Sequence, residues 1–138
     1  MKETVAAWEP HARGLLRIVA AYMIFSHGLR DFFGIMPARA RGADSMMPLD
    51  SLGHLGGVLL LILGLLLFVG WFVRPAALLL ALQCMIAYFY ASAPRDVFPI
   101  RNGGIDALTY VCVFLYLAAA GAGAWSLDAL RAENRSYH

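Results

Sequence analysis

Residues 55–73 read LGGVLLLILGLLLFVGWFV, nineteen positions without a single charge. A helix crosses the hydrocarbon core of a bilayer with roughly 20 mostly apolar residues, so this stretch alone predicts a transmembrane helix. Arg74 and Pro75 follow it, and Pro75 suits the first turn of a new helix, where its missing N–H is not needed. Residues 75–93, PAALLLALQCMIAYFYASA, are again uncharged and end at Pro94; residues 107–127, ALTYVCVFLYLAAAGAGAWSL, form a third such run. Toward the N-terminus, residues 18–29 are apolar except for Ser26 and His27, with Arg17 and Arg30–Asp31 close on either side. With Leu15, Leu16, Phe32 and Phe33 added, and with Arg17 snorkelling to the interface, this segment also spans. A cleaved signal peptide is the rival here, with Arg13 and Arg17 as its basic region and Ala38-Arg39-Ala40 as the cleavage box. Tyr22 and His27 in the apolar part, and the distance to that box, favour the membrane anchor. The expected fold is an all-α integral membrane protein. It is an antiparallel four-transmembrane-helix bundle with helices at about 14–33, 51–73, 75–93 and 105–127 and a polar tail at 131–138, in one domain.

The composition agrees. Of 138 residues, 61% are apolar and 14% charged, whereas soluble domains lie nearer half and a quarter. A water-soluble ball of this size has too much surface to hide so much apolar material. A soluble enzyme, a nucleic-acid module and a disordered regulator are therefore excluded, and a net charge of +2 offers no field for nucleic acid. An even number of spans puts both termini on one side. Six cations fall on that side and five on the other. Under the positive-inside rule this is a slight lean toward cytoplasmic termini.

Polar side chains at membrane depth need a partner or a purpose, and most of them here gather at the end away from the termini. His27 and Asp31 are four apart, with Arg30 between them, on neighbouring positions of one helix face. Asp50 and His54 repeat the spacing at the start of the second span. Tyr88, Tyr90 and Ser92 close the third. Arg101-Asn102-Gly103-Gly104 is a turn signal, followed by Asp106, Thr109 and Tyr110. Antiparallel packing would bring His27, Arg30, Asp31, His54, Tyr88, Arg95, Asn102 and Asp106 together. His27 and His54 beside Asp31 and Asp106 can pass protons near neutrality. Arg30, Arg101 and Asn102 suit a carbonyl, carboxylate or quinone oxygen, and Tyr88 and Tyr110 can stack on a flat ring. A quinone headgroup, a lipid headgroup or a polar segment of another membrane protein all fit. Haem between His27 and His54 is a lesser alternative, as is a metal at His27, His54, Asp31 and Asp106. No Cys/His cluster has zinc spacing, and no metal is expected. The loops at 34–51 and 94–104 carry Met36, Met46, Met47, Val97 and Phe98, which fit either packing on lipid headgroups or a lid over a cavity. Cys84 and Cys112 lie at similar depth; packing residues are favoured over a disulfide. Gln83 is expected to hydrogen-bond a neighbouring helix.

Four stretches carry a family resemblance: HGLRDFFG (27–34), GHLGGVLLLILGLLLFVGWFVRPAAL (53–78), AYFYASAPRDVFPIRNGGIDALTY (87–110) and GAGAWSLDAL (121–130). Over about residues 14–130 the chain resembles the DoxX family of small bacterial membrane proteins. One departure stands out: family members carry a lysine in the first-helix motif where Asp31 stands here, with Arg30 just before it. The resemblance implies a four-helix inner-membrane protein with both termini cytoplasmic. It also implies links to quinol oxidase, to thiosulfate:quinone oxidoreductase, to redox-stress complexes and, in distant relatives, to membrane chaperones.

Two classes of function follow. In the first, the chain is a quinone- or quinol-interacting subunit of a membrane oxidoreductase. It has no flavin, haem or iron–sulfur motif of its own, so a protein partner supplies the electrons. In the second, it is a non-catalytic assembly or anchoring factor for another protein. A homo-oligomer is compatible with both, and the lipid bilayer is a partner in either case.

Overall fold

The computed structural model describes residues 2–33 and 51–135, and all of the regular structure in them is helical. Helix α1 runs from Lys2 to Phe33, α2 from Ser51 to Val69 and α3 from Val73 to Ala87; a π-helical turn, Tyr88–Ser92, continues α3. A short α4 (Pro99–Asn102) leads into α5 (Ile105–Ala120), and α6 (Leu127–Arg135) follows. The loop of residues 34–50, with Asp50 and the Met36, Met46 and Met47 side chains, lies outside the described residues, and so does the side chain of Ser51.

Helix α1 begins well before residue 14 and carries Pro10 within it. A proline in a helix interior removes one backbone bond, yet the helix continues. The tail is helical to Arg135, where the polar sequence suggested a frayed end. By length and apolar composition, one continuous helical stretch among the described residues, Val73–Ser92, is long enough to cross a membrane; His54–Val69 and Ile105–Ala120 are apolar but shorter.

Helices α1 and α2 pack antiparallel, as do α3 and α5, and α2 joins α3 through the turn at Gly70–Phe72. Glycines set the α1–α2 crossing. A Cβ on Gly57 would stand 3.0 Å from the Phe32 nitrogen, one on Gly28 would meet Leu61 at 3.0 Å, and one on Gly64 would meet Ile24 at 3.2 Å. Apolar helices in lipid gain little from burying apolar area, so close backbone approach of this kind supplies the packing. The centre is filled by Ala21, Ile24, Leu67, Leu80, Cys84 and Phe114. Cys84 is buried in this core, whereas Cys112 is exposed, both as free thiols. Gln83 Nε2 donates to the Gly56 carbonyl across the α2–α3 contact at 2.8 Å.

The end of the molecule at the α2–α3 turn, here end A, is fastened by polar groups. Gly70 takes a left-handed conformation (φ 77°), and both Gly70 N and Trp71 N donate to the Leu66 carbonyl at 2.9 Å, a helix-ending arrangement that glycine permits. Arg17 is 0% exposed. It does not snorkel. Its guanidinium turns inward and donates to the carbonyls of Leu67 (2.9 Å) and Phe68 (3.2 Å) at the end of α2. It also donates to those of Ala124 (3.4 Å) and Trp125 (2.8 Å) beyond α5. The last carbonyls of a helix have no intrahelical partner, so a cation placed among them supplies donors through both Nη atoms, while its Nε is enclosed without a partner. Asp128 completes the fastening: its carboxylate accepts from Phe72 N at 3.1 Å and Val73 N at 2.9 Å, capping α3 from a distant part of the chain. Cleavage at the Ala38-Arg39-Ala40 box would take all of α1, with Arg17 and the whole α1–α2 contact.

Candidate functional site

The other end, end B, holds the residues singled out in the sequence, and the structure sorts them into four groups. Three of them, His27, Asp106 and Tyr110, share a cleft between α1 and α5 of about 240 Å³, lined also by Met23, Thr109 and Val113. The His27 ring stands edge-on to Tyr110, with centroids 5.7 Å apart at 79°. Its Nδ1 lies 2.9 Å from the Met23 carbonyl one turn back. An N–H on Nδ1 would satisfy that carbonyl and leave Nε2 as the free acceptor of the ring. Tyr110 is stacked on Phe114 at 5.7 Å and 14° and is only 6% exposed, yet its hydroxyl has no hydrogen-bond partner. A buried polar atom left unpaired costs roughly 1–3 kcal/mol, and this one stands beside the cleft. Asp106, in the first turn of α5, is exposed at the mouth. Thr109 turns its hydroxyl back to the Ile105 carbonyl at 2.9 Å.

The second group is the pair Arg30 and Asp31, joined through Nε and Oδ1 at 3.0 Å. Asp31 is buried and Arg30 Nη2 is also enclosed without a partner. The third is His54, which is exposed and packs edge-on to Phe32 at 6.3 Å. The two histidines thus lie against different neighbours: His27 against α5, His54 against the outer face of α1.

The fourth group builds the loop between the π turn and α5. The Asn102 amide donates to the Asp96 carbonyl and accepts from Gly104 N, both at 2.8 Å. Arg101 pairs with Asp96 at 3.2 Å. Tyr88 covers Gly104, where a Cβ would collide with the ring at 2.4 Å. These three residues therefore shape the approach to α5, and both ends of the Asn102 amide are committed within the loop. No group of three or more His, Cys, Asp and Glu side chains among the described residues could hold a metal ion, so the four carboxylate and imidazole groups do not converge on one.

Sequence reasoning missed the fastening at end A. An arginine in an otherwise apolar helix was its signal, together with the Ser-Leu-Asp at 126–128. Both look like interface residues until the carbonyls they meet are known.

The family model named DoxX matches residues 13–93. A protein of Haemophilus influenzae (strain ATCC 51907 / DSM 11121 / KW20 / Rd), named only as uncharacterized, is 40% identical over 128 residues, which is 88% of this chain and 91% of that protein. No solved structure matches significantly. The match runs from residue 13, within α1, to just past the π turn, including His27 and the buried Arg17, and the chain belongs to the DoxX family of membrane-associated proteins.

Proposed function

We propose that α1, α2, α3 with its π turn, and α5 cross the bacterial inner membrane, with both termini cytoplasmic and end B on the outer side. We also propose that the α1–α5 cleft binds the headgroup of a quinone or quinol. The chain would then be a quinone-docking subunit of a membrane redox system, with electrons supplied by a protein partner. The outward side chains of the long helices, such as Leu59, Ile62, Leu79, Leu82 and Leu115, are exposed and apolar, as lipid contact requires.

The observation that carries the quinone reading is the Tyr110 hydroxyl, buried and unpaired in a cleft with His27. Ligand pockets combine apolar walls with a few placed polar groups. Here Leu16, Val19 and Val113 form walls, and His27, Asp106 and Tyr110 are the polar groups. About 240 Å³ suits one six-membered ring with its substituents; a haem is far larger, and the two histidines do not face one another. Reduction of a quinone consumes two electrons and two protons. The electrons come from the partner. Tyr110 would donate a hydrogen bond to a carbonyl oxygen, and His27 Nε2 would deliver the two protons in turn, recharged after each from water through Asp106 at the mouth. The Arg30–Asp31 pair, one turn beyond His27, places charge near the cleft without lining it.

Purification in mild detergent followed by mass spectrometry of extracted small molecules tests this directly. A quinone that is present in the wild type and lost in Tyr110→Phe and His27→Ala supports the proposal. A defined protein partner without any quinone would support the assembly or anchoring role instead.

A further inference from the structure

Helix α5 has 16 residues, which at about 1.5 Å each reach about 24 Å. The hydrocarbon core of a bilayer is about 30 Å thick. If α5 spans, as proposed above, roughly 6 Å must be supplied by residues beyond its ends. Exposed apolar side chains stand at both ends.

At end B the loop before α5 carries Val97, Phe98 and Ile100, which are 86%, 61% and 78% exposed. The loop is not loose. Phe98 N donates to Asp96 Oδ1 at 3.0 Å, and Asn102 bonds it at both edges. Asp96 and Asn102 bond the loop from within, while three apolar side chains are held outward beside the exposed Arg101. In water each such side chain forgoes the gain of burial. At end A, Trp125 and Leu127 follow α5 and are likewise exposed. Trp125 is held in a left-handed conformation (φ 54°) by the bond from Arg17 to its carbonyl. His11 packs edge-on to it at 5.2 Å, and Arg131 covers the neighbouring Trp71 at 5.4 Å. All three tryptophans of the chain, Trp8, Trp71 and Trp125, are found at this end. Tryptophan and arginine mark the headgroup level of membrane proteins.

We propose that Val97, Phe98 and Ile100 at one end, and Trp125 and Leu127 at the other, are seated in the interfacial layer of the bilayer and extend the short span α5 to full thickness. Their partner is lipid. The polar loop bonds and the glycine-rich segment at 121–124 let the chain leave the helix while its apolar surface continues.

This rests on the spanning reading, so the test carries a control for it. The full chain is placed in phosphatidylethanolamine–phosphatidylglycerol vesicles with Trp8, Trp71 and Trp125 replaced by Phe. One tryptophan is then restored at position 125 or introduced by Phe98→Trp, Ile100→Trp or Leu115→Trp. Each is probed with lipids brominated at a shallow or a deep acyl position and with aqueous acrylamide. Trp125, Phe98→Trp and Ile100→Trp should be quenched more by shallow than by deep bromines, and several-fold less by acrylamide than free N-acetyltryptophanamide. Leu115→Trp should respond to the deep bromines. If Leu115→Trp responds but the two loop reporters quench with acrylamide like the free compound, the loop faces water or a protein and this proposal alone falls. If Leu115→Trp is also untouched by brominated lipid, the spanning reading falls with it.

Discussion

At the scale of single residues, two side chains show the same physics with opposite outcomes. Arg17 is fully enclosed and spends its donors on four carbonyls from two chain segments. Arg17→Ala takes the side-chain donor from all four carbonyls, of which Leu67 keeps Gly70 N, and each hydrogen bond to a charged group contributes about 1.5–3 kcal/mol. We expect a loss of at least about 3 kcal/mol, read as a lower thermal midpoint in detergent, with Arg17→Lys recovering part of it. Tyr110 has no partner to lose. Tyr110→Phe should leave the thermal midpoint unchanged or slightly raised, while weakening quinone affinity about tenfold, the equivalent of about 1.4 kcal/mol. A large drop in stability would mean that the hydroxyl serves the fold. His27 and Asp106 could be read as chemistry-bearing from the sequence, because their types and spacing are visible there. That Asn102 is consumed by its own loop, and that His54 turns to Phe32 instead of His27, depends on helix rotation, which spacing along one helix does not determine.

At the scale of elements, the apolar runs located α2, α3 and α5, because lack of charge over about 20 residues has few alternatives. The ends were less legible. Gly70 ends α2 four residues before the hairpin expected at Arg74–Pro75, since a left-handed glycine and the Asp128 cap decide the turn together. The α1–α2 contact depends on Gly28, Gly57 and Gly64. Gly57→Ala places a methyl 3.0 Å from a backbone nitrogen, and overpacking of this kind costs about 1–3 kcal/mol. Gly57→Leu should prevent a stable fold, visible as aggregation on size exclusion, whereas Gly56→Ala, on a partly open face, should be tolerated better. Asp128→Ala removes the cap on Phe72 and Val73 and should cost about 1–2 kcal/mol, measured by the same thermal midpoint.

At the scale of the whole molecule, the ends divide the work. End A is a structural fastening of Arg17, Gly70 and Asp128, and end B presents a cleft whose polar groups are only partly satisfied. The composition made a membrane protein legible and the polar remainder pointed to end B. The sequence pattern overestimated how many of those polar groups meet, because each helix shows only one face to its neighbour and His27, Asp106 and Tyr110 are those the α1–α5 contact selects. Titration of the purified protein with a short-chain quinone tests the central proposal most directly, with His27→Ala, Tyr110→Phe and His54→Ala measured beside the wild type. One binding site, weakened about tenfold or more by the first two substitutions and unchanged by the third, is the result expected. Absence of binding by the wild type, or equal affinity in all four proteins, would contradict a quinone site in the α1–α5 cleft.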